Sequence, residues 1–113
     1  MAVTSARARK LALSFEGASE VPHFDRAAFR TPRKMFATLA VDGRDVNLMF
    51  DHSLQEFFCE QAPAAFAPVP GGWGRMGATR CDLKTVDETT LLSALKAAHA
   101  RAAPAPKKPK KGA

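Results

Sequence analysis

The chain has 113 residues, of which 46% are hydrophobic, and its 17 Lys and Arg against 11 Asp and Glu give a formal net charge of +6. This length supports one domain with a single core, and no apolar run approaches the roughly 20 residues that span a membrane. The apolar run after the basic N-terminus is too short for a signal peptide, so we expect a cytoplasmic protein without membrane contact.

The positive charge is concentrated near the C-terminus. Residues 1–101 hold 13 Lys and Arg against 11 Asp and Glu, which leaves +2. The other +4 belongs to four lysines in residues 102–113, where Ala, Pro and Lys alternate. Such a sequence buries little apolar surface, so we predict one folded domain over 1–101 and a disordered tail over 102–113. The tail either attracts phosphates non-specifically or serves as a solvated terminus.

A helix followed by three strands is predicted for the first half of the chain. The helix begins with Thr4 or Ser5 as its N-cap and continues to about Leu13, and Gly and Pro then break the pattern in residues 16–22. Strands are predicted over 27–31, 34–41 and 45–50, with turns at Pro32-Arg33 and Asp42-Gly43. The middle strand is expected to place Met35, Ala37, Leu39 and Val41 on one face, and Phe36, Thr38 and Ala40 on the other.

The second half begins with a helix whose first residues, Ser53 to Glu56, have the form of a capping box. Leu54, Phe57 and Phe58 are expected to point inward, and Pro63 ends the helix. Residues 66–70 form a linker or short strand.

A glycine-rich loop follows and leads into one or two strands over 75–83. The last helix starts with Asp87 as N-cap and ends near Arg101, and its predicted apolar stripe consists of Leu91, Leu92, Leu95 and Ala98. The order α-βββ-α-β(β)-α indicates the α+β class, with one antiparallel sheet covered on one face by helices.

Five features of the chain, taken in order, carry a family resemblance. They are Pro22-His23-Phe24, Phe29-Arg30, residues 34–39, Gly71-Gly72-Trp73-Gly74 and Asp87 at the start of the last helix. Over roughly residues 5–103 they resemble the MmcQ/YjbR family of small bacterial proteins. This resemblance implies a frataxin-like α+β fold and DNA binding through a double-wing arrangement of β-hairpins. Relatives of this type often have an aromatic residue after Gly77, where this chain has Ala78.

The cations near the predicted turns are the candidate contacts to DNA, because a β-ribbon can lie along phosphates or enter a groove. Trp73 beside a cation could add stacking. The alternative is that the cations protect strand edges from pairing and that Trp73 fills the core. The candidate nucleic-acid-binding residues are Arg30, Arg33, Lys34, Arg44, Trp73, Arg75 and Arg80.

The predicted function is therefore binding of duplex DNA, mainly through phosphate contacts from the hairpin turns. The alternative is a protein-interaction or small-ligand-sensing module that uses the sheet face and the Trp73 loop, without catalysis. The oligomeric state does not follow from the sequence.

A catalytic or metal site is not predicted. No nucleophile accompanies His23 and Asp25, and neither the histidines nor Cys59 and Cys81 have zinc-type spacing. The two cysteines are expected to be free thiols. The frataxin-like resemblance raises iron binding, but the first helix is basic, with no acid before Glu16. We expect no enzyme activity, no metal and no cofactor.

Overall fold

A six-stranded antiparallel sheet forms the centre of the protein, which a computed structural model describes over residues 3–103. The predicted tail lies, from residue 104 onward, outside the described residues. In chain order the elements are α1 (Ser5–Leu13), β1 (Ser19–His23), β2 (Arg26–Arg30), β3 (Met35–Ala40), β4 (Asp45–Leu48), α2 (His52–Gln61), β5 (Phe66–Pro68), α3 (Gly72–Arg75), β6 (Thr79–Asp82) and α4 (Glu88–Ala102).

The strands follow the order β1-β2-β3-β4-β6-β5, and every neighbouring pair is antiparallel. Helices α1 and α4 pack on the central strands β3 and β4, and α2 packs beside the edge strand β5. The predicted α+β class, with one sheet and helices outside it, is confirmed. Among residues 3–103, no helix is long and apolar enough to cross a membrane.

The register of the strands separates a covered face from an open face, because directly paired residues of antiparallel strands point to the same side. Phe29 pairs with Ala37 and Ala37 with Leu48, and all three belong to the buried core under the helices. The opposite face carries the more polar row that runs across β2, β3, β4 and β6 and consists of Ala28, Thr38, Asn47 and Arg80.

The predicted caps of the first and last helices are confirmed. The Thr4 hydroxyl accepts a hydrogen bond from the Arg7 backbone at 3.1 Å, and the Asp87 carboxylate accepts one from Thr90 at 2.7 Å. Each bond satisfies an N–H group that has no partner within its helix. The hydrogen bonds to Thr90 also hold the pKa of Asp87 below its usual value.

Two predictions for the sheet are wrong. Residues 19–23 form the edge strand β1, although the sequence predicts only a break there, and Pro22 is tolerated because it lies in an edge strand. Phe36 was predicted opposite Ala37, but the register between β2 and β3 shifts at this point, so both residues lie in the core. A β-bulge adds one residue to a strand and locally interrupts the alternation of faces.

The second helix begins two residues earlier than predicted. Its N-cap is Asp51, whose carboxylate accepts a hydrogen bond from the Leu54 backbone at 2.9 Å, so Ser53 is already helical. Phe58 is buried as predicted, whereas Phe57 is 52% exposed. Leu92, part of the predicted apolar stripe, is also exposed, and so is Val41, which was predicted on the same face as Ala37 and Leu39 but lies beyond the end of β3.

Candidate nucleic-acid interface

The glycine-rich segment folds into the short helix α3 rather than into a loop, and the strand after it begins only at Thr79. Gly77 has a φ of +118°, and a Cβ there would lie 2.3 Å from the Phe50 carbonyl oxygen. A Cβ on Gly74 would lie 1.7 Å from the Val69 carbonyl oxygen. Only glycine fits at these two positions, and it lets α3 sit directly on the backbone of neighbouring segments.

Side chains from the start of α2 hold α3 in place. The Gln55 side-chain amide donates to the carbonyl oxygens of Gly74 at 2.9 Å and Ala78 at 3.1 Å. The His52 imidazole Nε2 forms a hydrogen bond with the Arg75 carbonyl oxygen. These bonds satisfy carbonyl groups at the end of a helix, so His52 and Gln55 have a structural role in orienting α3.

Trp73 projects from α3 into solvent, with 59% of its surface exposed. The alternative that it fills the core is therefore wrong. It lines an open groove of about 620 Å³, here called the Trp73 groove, beside the ends of β3 and β4. Three of the four methionines of the chain line this groove with its only tryptophan. Its main lining residues are Lys34, Met35, Met49, Trp73, Met76 and Arg101.

The turn between β2 and β3 lies next to this groove and caps the C-terminus of α4. The Thr31 hydroxyl donates to the Ala102 carbonyl oxygen at 2.7 Å. The Arg33 guanidinium donates to the carbonyl oxygens of Arg101 at 2.6 Å and Ala103 at 3.2 Å. A cation at a helix C-terminus is favourable because the carbonyl groups there carry partial negative charge.

Four cations gather around this turn and α3, and we call them the basic end. They are Arg30, Arg33, Lys34 and Arg75. Among residues 3–103, none of them has a carboxylate oxygen within 4.0 Å. Arg30 donates instead to the carbonyl oxygens of Thr31 and Pro32. The guanidinium and ammonium charges of the basic end therefore lack ion-pair partners in the described part of the chain.

The opposite end of the sheet, at the loop between β3 and β4, has a different balance of charge. Arg44, Arg80 and Lys84 line one groove there together with three aspartates, which are Asp42, Asp45 and Asp82. Arg44 is ion-paired with Asp42 at 3.3 Å. Among residues 3–103, Arg80 and Lys84 have no carboxylate oxygen within 4.0 Å, and Asp45 is ion-paired with Arg26. The formal charges of the three cations and three aspartates that line this groove sum to zero, and we call this group the mixed end.

The seven candidate residues from the sequence thus fall into two groups at opposite ends of the sheet. Arg30, Arg33, Lys34, Trp73 and Arg75 belong to the end that carries the Trp73 groove, and Arg44 and Arg80 belong to the mixed end.

Sequence reasoning missed Arg101 and the methionines of the groove. Arg101 donates to the Met49 carbonyl oxygen at 2.8 Å, a contact between residues far apart in the chain. The only available signal was the position of Arg101 at the end of the last predicted helix. Arg26, on the open face, forms an ion pair with Asp45 at 2.8 Å and was likewise not singled out.

The cysteines and the acidic side chains of the described residues do not cluster into a metal centre. Cys59 and Cys81 are both free thiols, as predicted, and burial raises the pKa of Cys81 to about 12. Within residues 3–103, no three His, Cys, Asp or Glu side chains cluster in a way that could hold a metal ion.

Comparison with known proteins assigns the fold to a family. A family model described as YjbR matches residues 13–101, which include both ends of the sheet and the Trp73 groove. The chain belongs to the YjbR family. The resemblance inferred from the sequence is confirmed. No curated protein matches this YjbR chain significantly.

A solved structure supports the same assignment. The chain is similar to the Deinococcus radiodurans protein DR2400, whose crystal structure contains a domain of the DUF419 family. The two share 18% sequence identity with a TM-score of 0.69, and the match covers 84% of this YjbR chain and 75% of that protein's chain. At this identity the likeness concerns the fold alone.

Proposed function

We propose that this YjbR protein binds DNA, and that the basic end holds the phosphate backbone. The observation that carries the proposal is the set of four cations, Arg30, Arg33, Lys34 and Arg75, without carboxylate partners in the described chain. Unpaired guanidinium and ammonium groups are the usual phosphate ligands of proteins, and arginine suits bidentate contact.

The sequence that follows the basic end contains further cations. Ala103 lies beside Arg33, whose Nε donates to its carbonyl oxygen at 3.2 Å. From Ala103 the chain continues into the segment that contains Lys107, Lys108, Lys110 and Lys111. These lysines are attached within eight residues of the basic end, which favours joint contact with one polyanion.

Catalysis is not part of the proposal. His23, His52 and His99 lie on separate elements, and two of them hydrogen-bond to backbone carbonyl oxygens, those of Arg75 and Glu16. We propose a binding protein that needs no cofactor. The second candidate, a protein-interaction or ligand-sensing module, is supported by the exposure of Trp73.

The salt dependence of binding to a labelled duplex tests the proposal. Each phosphate contact contributes about −0.9 to the slope of log affinity against log salt concentration. Contacts from the basic end alone give a slope of about −3.6, and contacts from the four tail lysines as well bring it to about −7. Fluorescence anisotropy should therefore give the steeper slope for the full chain and the shallower slope for a chain ending at residue 103. A slope no steeper than about −1, or no retention at low salt, contradicts the proposal.

A further inference from the structure

We infer that the Trp73 groove accepts unpaired nucleotide bases, so that the preferred ligand is a single-stranded stretch of nucleic acid. This inference rests on the proposed function, because it assumes that the basic end holds phosphates. It adds that the basic end and the Trp73 groove together select single-stranded over double-stranded nucleic acid.

The lining of the groove suits flat apolar rings. Trp73 presents its indole to solvent, and Met76 beside it is 78% exposed. Exposed aromatic side chains stack bases of any sequence, since every base has a π-face. Methionine side chains are flexible and polarizable, so Met35 and Met49 can adapt to rings of different size.

The groove also extends across the open face of the sheet. A second depression of about 200 Å³ shares Met35, Met49 and Trp73 with it and reaches Thr38 and Asn47. The Thr38 hydroxyl is buried and accepts a hydrogen bond from Arg26 at 2.7 Å, whereas the half-buried Asn47 amide offers a donor and an acceptor to base edges. The two depressions share Met35, Met49 and Trp73, so the apolar groove adjoins a more polar surface on the same side of the sheet.

The charge around the groove favours a nucleotide over an uncharged ligand. Lys34 and Arg101 line the groove, and Arg75 lies on α3 between Trp73 and Met76. Among residues 3–103, no carboxylate lines either depression. Arg101 is oriented by its bond to the Met49 carbonyl oxygen and lies 3.8 Å from Asp51, so of these three cations Lys34 and Arg75 are the ones free to meet phosphates beside the groove.

A duplex can contact the cations of this surface, but its bases cannot stack in the Trp73 groove. Its bases are stacked and paired, so it offers phosphates to Lys34 and Arg75 but no ring face to Trp73. A single strand satisfies both the cations and the apolar groove. The continuity of the groove with the proposed phosphate site therefore favours a single strand over a duplex and over an acidic protein segment, which lacks stacked rings.

The test compares an oligo(dT) strand of about 12 nucleotides, a length typical of single-strand sites, with a duplex of the same length. The wild-type full chain should bind the single strand more tightly and show quenching of Trp73 fluorescence. Trp73→Ala should weaken single-strand binding by about tenfold or more, the range expected for one stacked base, and so reduce the preference for the single strand over the duplex. Trp73→Phe should restore most of the affinity.

Two further variants keep the result interpretable. Phe57→Ala removes an exposed aromatic residue outside the groove and should leave both affinities unchanged. Met76→Glu places a carboxylate at an exposed position in the groove, and should weaken single-strand binding even if Trp73→Ala fails to fold.

Equal single-strand affinity in wild type, Trp73→Ala and Met76→Glu overturns the inference but leaves the proposed function intact. Quenching by an acidic amphipathic peptide, without quenching by oligo(dT), assigns the groove to a protein partner and also overturns it. If neither DNA form binds the wild-type protein, the proposed function fails as well.

Discussion

The two ends of the sheet carry similar numbers of cations but differ in what surrounds them. At the basic end, Arg30 and Arg33 donate to backbone carbonyl oxygens, and no carboxylate lies within 4.0 Å of their side chains in the described chain. At the mixed end, Arg44 is ion-paired with Asp42, and Asp45 and Asp82 line the same groove. Arg80 and Lys84 also have no carboxylate oxygen within 4.0 Å in the described chain, but three aspartates share their groove, whereas no carboxylate of the described residues lines the Trp73 groove. A count of cations therefore does not identify a polyanion site, whereas the carboxylates that share their surface distinguish the two ends.

The separation of the two ends follows from the order of the antiparallel strands β2, β3 and β4. Successive turns of antiparallel strands fall at opposite ends of the sheet, so the turn at 31–34 and the loop at 41–44 cannot form one patch. Helix α4 ends at the first of these, where Arg33 and Thr31 bind its last carbonyl groups. The basic end is therefore also a structural junction between the sheet and the last helix.

The largest expected effect concerns the backbone of the basic end. Gly74→Ala places a Cβ 1.7 Å from the Val69 carbonyl oxygen, and we expect a loss at or above the upper end of the roughly 1–3 kcal/mol typical of overpacking. Gly72→Ala is the control, because its Cβ meets only the tip of Arg75 at 3.7 Å. Urea denaturation gives the free energy of unfolding of both variants. Equal values for the two would contradict the close packing of α3 against the Val69 backbone.

The next effect concerns the junction with α4. Thr31 is buried, and its hydroxyl donates to Ala102 and accepts from the backbone N–H of Arg33 at 3.1 Å and Lys34 at 3.2 Å. Thr31→Val leaves these buried groups without partners, which costs about 1–3 kcal/mol. Arg44→Ala at the mixed end removes only an exposed ion pair and should change stability by less than about 1 kcal/mol. Thermal unfolding of both variants checks the difference, and a larger loss for Arg44→Ala would refute it.

The smallest expected free-energy change is in binding. Lys34→Glu with Arg75→Glu should weaken binding to a labelled DNA duplex by about tenfold and reduce the salt slope by about 2, since two phosphate contacts are lost. The matched double variant Arg44→Glu with Lys84→Glu reverses the same number of charges at the mixed end. We expect it to change affinity far less, because carboxylates already balance that end. Anisotropy at two salt concentrations measures both, and equal losses would contradict the distinction between the ends.

The sequence predicts those features of the fold that are determined by residues close together along the chain. The caps at Thr4 and Asp87, the strands around Asp42-Gly43 and the burial of Phe58 all follow from local patterns. The bulge at Phe36 does not, because it depends on how β3 pairs with β2. The start of α2 was misplaced because Asp51 and Ser53 are both good N-caps, and the sequence does not choose between them.

The candidate site was less predictable than the fold for the same reason. The glycines at 71–77 indicate a shaped segment, but only the contacts of Gly74 with Val69 and of Gly77 with Phe50 explain why it forms a helix that exposes Trp73. The gathering of Met35, Met49 and Met76 in one groove joins three distant parts of the chain. Non-local pairing also decides which cations meet carboxylates, as the ion pair between Arg26 and Asp45 illustrates.

An NMR titration of the ¹⁵N-labelled full chain with DNA tests the central claim most directly, because it reports both ends of the sheet in one experiment. We predict that amide shifts change around residues 30–35 and 71–78, while those around 42–45 and 80–84 stay close to their free positions. Changes confined to the second set of residues, or no changes in either set at low salt, would contradict the assignment of nucleic-acid binding to the basic end.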